Sequence, residues 1–228
     1  SYSTFNKKGV PQKITIKIDN CELERVSSTK FLGIVLHENL SWKTHISTLA
    51  SKINKNIGVI RALQSKLPIS ALLMLYNTLI YPYLQYCNIA WASQKDKYID
   101  SLLLIQKKAI RVVCKAKWCA HTTPLFYRPS TLKITDINKL QTGSFMYKAV
   151  NHLLPEMFAN YFTLNINVHH YHTRQSKNVH QDAIRTTLRK FSIKNYGSCL
   201  WNSLPKPIKT LPSIRSFQVE YKKLLLAS

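Results

Sequence analysis

The feature that most constrains this chain is a change of hydrophobic period near residue 40. In "QKITIKI", residues 12–18, Ile14, Ile16 and Ile18 alternate with polar neighbours, the period of a strand with one buried face. Asp19 and Asn20 then supply turn residues, and a return arm through Leu23 and Val26 completes a half-buried hairpin. Lys30 to Leu36 reads as a third, more apolar and more central strand, with Gly33 inside it. From Ser41 the period becomes helical. At 100° per residue Ile46, Leu49, Ala50, Ile53, Ile57, Ile60 and Leu63 share one arc, while Lys43, Lys52, Lys55 and Arg61 lie opposite.

Helical spacing then dominates. Residues from about Ser70 to Ala92 are apolar nearly all round and contain Pro82, which predicts a kinked central helix. The same stretch raises a membrane question, but Ser70, Asn77, Gln85 and Asn88 interrupt it, and a buried helix is the better reading. A third helix is expected over Lys97 to Lys117, with Ile99, Leu102, Ile105, Ala109, Val112 and Val113 on one face. Lys107, Arg111 and Lys115 recur on that helix at i, i+4 and i+8, with Lys108 beside them. Like charges so placed repel by a few tenths of a kcal/mol (~0.2–0.5) per pair. An external anion ladder relieves that repulsion, and a merely solvated face is the alternative.

Beyond the connector "HTTPLFYRPS", Thr135 and Asp136 offer an N-cap for a helix reaching about His152 and stopped by Pro155. Asn165 to Gln181, with its four histidines, reads as loop. A short helix follows over Ser192 to Leu204, then the turn "LPKPIKTLP" and a last helix capped by Ser213, with Ile214, Phe217, Tyr221 and Leu224 inward. The expected class is mainly α with a small N-terminal antiparallel β element (α+β). Its parts are 1–40, 41–128 and 129–228.

The chain carries 33 Lys and Arg against 10 Asp and Glu, a formal net charge of +23. That excess is spread over every quarter of the chain, so it fits a polyanion lying across a folded surface better than a tethered arm. The 5 cysteines are irregularly spaced, which argues against a secreted disulfide framework and for a reducing compartment. With only 5 glycines there is no phosphate-cradling loop. Divalent-metal phosphoryl chemistry needs converging carboxylates, and the acids here stand singly: no two are adjacent, and Glu22 with Glu24 and Asp96 with Asp100 lie close in sequence. Cys114, Cys119 and His121, with His169, His170 or His172, could complete a zinc set, but burial of isolated cysteines is the commoner use. No catalytic residue and no metal ligand is assigned. The first residue, Ser1, is not Met, and the chain reads as a piece of a longer protein.

"VSSTKFLGIVLHENLSWKTHI" (26–46), "LYNTLIYPYLQYCNIAW" (75–91), "LIQKKAIRVV" (104–113), "HTR" (172–174) and "LWNSLP" (200–205) together resemble the C-terminal part of the reverse transcriptases of non-LTR, LINE-type, jockey-like retrotransposons. The resemblance implies that Lys30, Phe31, Leu32 and Gly33 belong to a primer-grip strand, and that Trp42, Lys43 and His45 open a helical thumb leaning on the template-primer duplex. Lys52, Lys55, Lys107, Lys108, Arg111 and Lys115 would meet phosphates, and Arg174, Arg189 and Lys190 would meet RNA from a C-terminal extension. Cys87 departs from the pattern, standing where the family often has Gly. The fingers and most of the palm, with the aromatic-x-Asp-Asp motif, would lie upstream.

The expectation is a polymerase fragment without its catalytic palm, inactive alone, binding RNA, DNA or their hybrid. It would act beside the missing N-terminal polymerase region, with no membrane or small-molecule substrate and an intracellular, nuclear location with cytoplasmic passage. No cofactor is expected in this chain, Mg2+ belonging to the palm. The alternative is a stand-alone, domesticated nucleic-acid-binding protein. A third class, a helical protein-interaction scaffold, would bind indifferently to salt.

Overall fold

The computed structural model describes Ser3 and residues 15–93, 97–168 and 175–227. Of these residues 59% are helical, with two small antiparallel sheets near the N-terminus. The first sheet pairs β1 (Lys17–Ile18) with β2 (Cys21–Glu22). Its turn residues Asp19 and Asn20 both take positive φ (48° and 63°), the geometry that matches the right-handed strand twist. This hairpin is shorter and more exposed than its alternation predicts: Ile18 is 59% exposed, and Ile14 lies outside the described residues.

The stretch expected to be one central strand is instead a second hairpin. β3 (Ser28–Phe31) pairs with β4 (Ile34–His37), and Leu32 and Gly33 form the two-residue turn at φ 45° and 83°. Gly33 therefore reverses the chain rather than thinning a strand, and Phe31 and Leu32 sit at an exposed tip, 62% and 73% accessible. An apolar run whose middle residues are solvent-facing looks like a buried strand until the turn is seen. Arg25 pairs with Glu38 at 2.8 Å across the base of this hairpin.

Helix α1 (Lys43–Leu63) follows the predicted face, burying Ile46, Leu49, Ile53, Ile57 and Ile60. Fully burying such a side chain contributes about 1.5–3 kcal/mol, so five of them far outweigh the repulsion among lysines on the outer face. The apolar stretch after it is not one kinked helix but three: α2 (Ile69–Leu79), α3 (Tyr81–Gln85) and α4 (Asn88–Trp91). Pro82 occupies the first turn of α3, where its missing N–H costs nothing. Cys87 breaks α3 from α4 by adopting a left-handed conformation, φ 48°. That conformation costs a non-glycine residue about 1–2 kcal/mol, so glycine would be the less strained residue at this position. Among the described residues no helix is long and apolar enough to cross a membrane.

Helix α5 (Lys97–Val113) ends earlier than expected. The Ala116 N–H donates to the Arg111 carbonyl (2.9 Å) and the Lys115 N–H to Val112 (3.2 Å), with Lys115 left-handed at φ 51°. This is a Schellman stop with Lys where Gly is usual. After α6 (Thr123–Tyr127) comes α7 (Ile134–Val150), whose flanking residue is Lys133 rather than Thr135 or Asp136. Asp136 is instead buried one turn in and paired with Lys139 at 3.0 Å.

The Asn165–Gln181 stretch, read as loop, starts with the short α8 (Asn165–Val168) and is pinned by a bridge between Leu164 and Val179. His169, His170, His172 and Arg174 lie outside the described residues. After α9 (Thr187–Lys190), a five-residue π-helical turn (Ile193–Gly197) leads into α10 (Ser198–Ser203), splitting the helix expected over Ser192 to Leu204. Then α11 (Lys206–Lys209) precedes α12 (Ile214–Ala227). Ser213 caps α12 as expected, its hydroxyl accepting from Ser216 N–H at 3.1 Å. Phe217, Tyr221 and Leu225 are buried, and Leu224 is turned outward.

One core joins these helices: a cluster of buried side chains runs from Ile46 on α1 through Tyr76, Leu102 and Ile134 to Phe217 and Tyr221. Gly143 allows α7 and α12 to approach. A Cβ built there would stand 2.6 Å and 3.1 Å from two Tyr221 ring carbons, and Tyr221 is 1% exposed and cannot swing away. Gly143→Ala should therefore destabilise the protein by about 1–3 kcal/mol despite the better helix propensity of Ala. A lower urea midpoint at unchanged slope checks this; a higher one would show that the two helices have slack.

Candidate nucleic-acid interface

The hairpin tip is fastened to the helices at one point. The Tyr86 hydroxyl donates to the Leu32 carbonyl at 2.6 Å, and the Tyr86 ring lies 3.6 Å from where a Cβ on Gly33 would be. Lys30, Phe31 and Leu32 remain exposed. Beneath the first residues of β4 stands His45, expected from the resemblance to lean on a duplex. The structure buries it instead, at 3% exposure. Its Nδ1 accepts the Val35 N–H at 3.4 Å, and its ring meets Trp42 and Trp91 edge-on, with centroids 6.3 Å and 5.6 Å away. The cause is helical geometry: residue 45 precedes Ile46, Leu49 and Ile53 on the inward face. His45 ties sheet to helix and does not reach an external ligand.

The exposed side of α1 presents Lys43, Lys52 and Lys55, with the Lys52 ammonium 5.6 Å from the centre of the Tyr83 ring. Residues 39–95 contain no acid at all, and neither do residues 101–135. The surfaces of α1 and of the latter part of α5 thus offer cations without neutralising neighbours in sequence, and no ion pair of theirs occurs among the described residues.

The C-terminal ends of α1 and α5 are joined by Gln64, whose Nε2 donates to the Val112 carbonyl at 3.1 Å. Between them opens a groove of about 540 Å³, lined by Arg61, Gln64, Lys108, Arg111, Val112, Ala116 and Trp118. Arg111 uses its Nε to hold the Ala120 carbonyl at 3.0 Å, which folds the 115–120 loop back beside the groove. Its remaining guanidinium nitrogens make no hydrogen bond among the described residues. Trp118, at 88% exposure, is the most accessible large apolar side chain described. The helix ends also carry negative partial charge, which favours basic side chains gathered there.

The expected ladder on α5 is thereby reshaped. Lys108 and Arg111 join Arg61 around the groove. Lys107 is half-buried, and Lys115, beyond the helix end in its left-handed cap, is no longer in line with them. Sequence reasoning missed Arg61 and Trp118 as partners of Lys108, because their proximity depends on how two helix ends meet. The Lys-Trp pairing at 117–118 in a run without acids was the available signal.

In the C-terminal part the candidates divide. Arg189 is committed to Asp182 at 2.9 Å, and Lys194 joins the same carboxylate at 3.2 Å. These two hydrogen-bonded cations hold the Asp182 carboxyl below the usual carboxylate range. Lys190 is exposed, 5.9 Å from the Phe191 ring centre. The "LWNSLP" segment serves the fold. Trp201 and Leu204 are buried, and the Asn202 amide clamps Val179 by accepting its N–H (3.0 Å) and donating to its carbonyl (2.9 Å). Among the described residues no three His, Cys, Asp or Glu side chains gather as a metal site would require. Burial pushes the Cys114 thiol up, making it a poor nucleophile.

Comparison with known proteins relates the chain to RNA-directed DNA polymerases of transposons. Over 113 residues it is 22% identical to the probable RNA-directed DNA polymerase from transposon X-element of Drosophila melanogaster, a stretch covering 48% of this chain and 12% of that protein. No protein-family model matches the chain. No solved structure matches it either.

Burial, and secondarily the charge of Lys52, lowers the His45 pKa from its ordinary 6.5. The unfolded chain therefore takes up this proton first. His45's share of the stability is complete above about pH 6.5 and declines as the pH falls below it. Thermal melts at pH 7.5 and 5.5 should show a loss for the native chain that is smaller in His45→Gln, which keeps an acceptor for Val35; equal losses would contradict this role.

Proposed function

We propose that the chain is the duplex-gripping part of a retrotransposon reverse transcriptase: the primer-grip hairpin, the helical thumb and the helical extension behind it. The observation that carries the reading is the acid-free surface of α1 and of the latter part of α5, with Arg61, Lys108 and Arg111 gathered at one groove, in a chain similar to a transposon polymerase. Cations held without carboxylate partners are stabilised by an external polyanion, and phosphates at regular spacing are the common one. The exposed tip at Phe31 and Leu32, fixed by Tyr86, would set the position of a primer end relative to that face.

In this reading the protein supplies binding and positioning, and bond formation belongs to carboxylates elsewhere in the polymerase, because the acids here stand singly. Its partners are template-primer duplex or RNA, and its place is inside the cell, at the nucleus. The proposed contact set leaves out His45, which is buried, Arg189, which pairs with Asp182, and Lys115, which lies beyond the helix end.

Binding to an RNA–DNA hybrid should weaken steeply with salt, and Arg61→Ala with Lys108→Ala should reduce the slope of log K against log salt by about 2 if each side chain neutralises one phosphate. Arg111 is left intact in this test because it holds the loop. Fluorescence anisotropy across a salt series measures the slope; an unchanged slope would remove the groove from the interface, and affinity indifferent to salt would favour a protein-binding scaffold.

A further inference from the structure

Phosphate attraction accounts for the cations around the α1–α5 groove but not for Trp118. An indole 88% exposed at the groove's margin has no packing role that explains its position. Nor is the loop carrying it slack. It follows the Schellman stop of α5, closes through the Ala120 N–H donating to the Lys117 carbonyl at 3.0 Å, and is held by the Arg111 Nε. An exposed aromatic face on an anchored loop, beside three cations without ion-pair partners among the described residues, has the makings of a stacking platform for a base whose phosphate lies in the groove. Inside a duplex both faces of a base are already covered, so along its length a platform of this kind serves only an unpaired nucleotide.

We infer that the groove between the ends of α1 and α5 binds one unpaired nucleotide, its base stacked on Trp118 and its phosphate held by Arg61, Lys108 and the free edge of Arg111. This rests on the polynucleotide-binding reading above and adds to it that the surface distinguishes single-stranded from paired positions. Stacking with phosphate contact does not read the 2′-hydroxyl, so unpaired RNA and DNA are bound alike at this groove.

The test compares a blunt RNA–DNA hybrid with the same hybrid carrying a short single-stranded overhang, by anisotropy of a labelled strand. The native chain should prefer the overhang, whether RNA or DNA. Trp118→Ala should weaken binding to the overhang form about tenfold and leave the blunt form unchanged, while Trp118→Phe should keep most of the affinity. An overhang of abasic residues should erase the difference between the native chain and Trp118→Ala. Since Trp118 touches solvent on nearly every side, an unchanged melting temperature confirms that truncation has not disturbed the fold. Equal weakening of both substrates, no weakening of either, or full affinity for the abasic overhang overturns the inference. If the native chain binds none of these nucleic acids, the broader reading falls with it; if it binds them with steep salt dependence and Trp118→Ala is neutral, only the unpaired-nucleotide site is lost.

Discussion

The side-chain amide of Gln106 holds three helices in register. It is completely buried, yet its Nε2 donates to the Tyr76 hydroxyl on α2 and to the Leu132 carbonyl, each at 2.9 Å, and its Oε1 accepts the Ile134 N–H at 2.8 Å. That last bond satisfies one of the donors that α7 exposes at its start, in place of an ordinary N-cap side chain. Burying an amide without partners costs roughly 1–3 kcal/mol, whereas a fully bonded one is tolerated and directional. An apolar residue of similar size would leave the Leu132 carbonyl and the Ile134 N–H stranded together. Two further amides repeat the device nearby, Asn138 donating to the Asn88 carbonyl at 3.2 Å and Gln141 to the Gln85 carbonyl at 2.9 Å. The helices that carry the basic groove are thus locked to the helices behind them, and positive charge can collect on α1 and α5 because their inner faces are held independently of it.

Three of the left-handed non-glycine residues among the described residues lie where that frame meets the hairpin tip and the groove. Leu32 at the hairpin tip, Cys87 between α3 and α4, and Lys115 after α5 all adopt left-handed backbone that favours glycine. Each reverses or stops the chain beside an exposed surface: the tip, the Tyr86 anchor under it, and the loop that bears Trp118. Such conformations cost of order 1–3 kcal/mol apiece and persist only when surrounding contacts over-determine them. Here those contacts are the Tyr86–Leu32 bond, the Trp91 indole donating to the Tyr86 carbonyl at 2.9 Å, and the Arg111–Ala120 bond.

Much of this was legible in the sequence wherever one periodic face met one core. Ile46, Leu49, Ile53, Ile57 and Ile60, which the 100° spacing of α1 names, are buried, Ser213 caps α12, and Asp19-Asn20 turns the first hairpin. Failures came where a local pattern has two physical outcomes. "KFLGIVL" is equally apolar as a buried strand or as an exposed tip, and only the left-handed pair at Leu32 and Gly33 decides. His45 carries the same letter whether it faces a ligand or Trp91. The partners of Gln106 lie 26 to 30 positions away, and a lone polar residue on an apolar face does not announce them. The groove is the same kind of object: Arg61 and Trp118 are far apart in the chain and meet because Gln64 ties two helix ends together.

Hydrogen exchange on the full chain, with and without an RNA–DNA hybrid at low salt, tests the central claim most directly. The account predicts that bound hybrid slows exchange at the end of α1, the end of α5 and the 115–121 loop, with smaller changes over α7 and α12. Protection confined to residues 139–227, or none anywhere under conditions of measured binding, would contradict it.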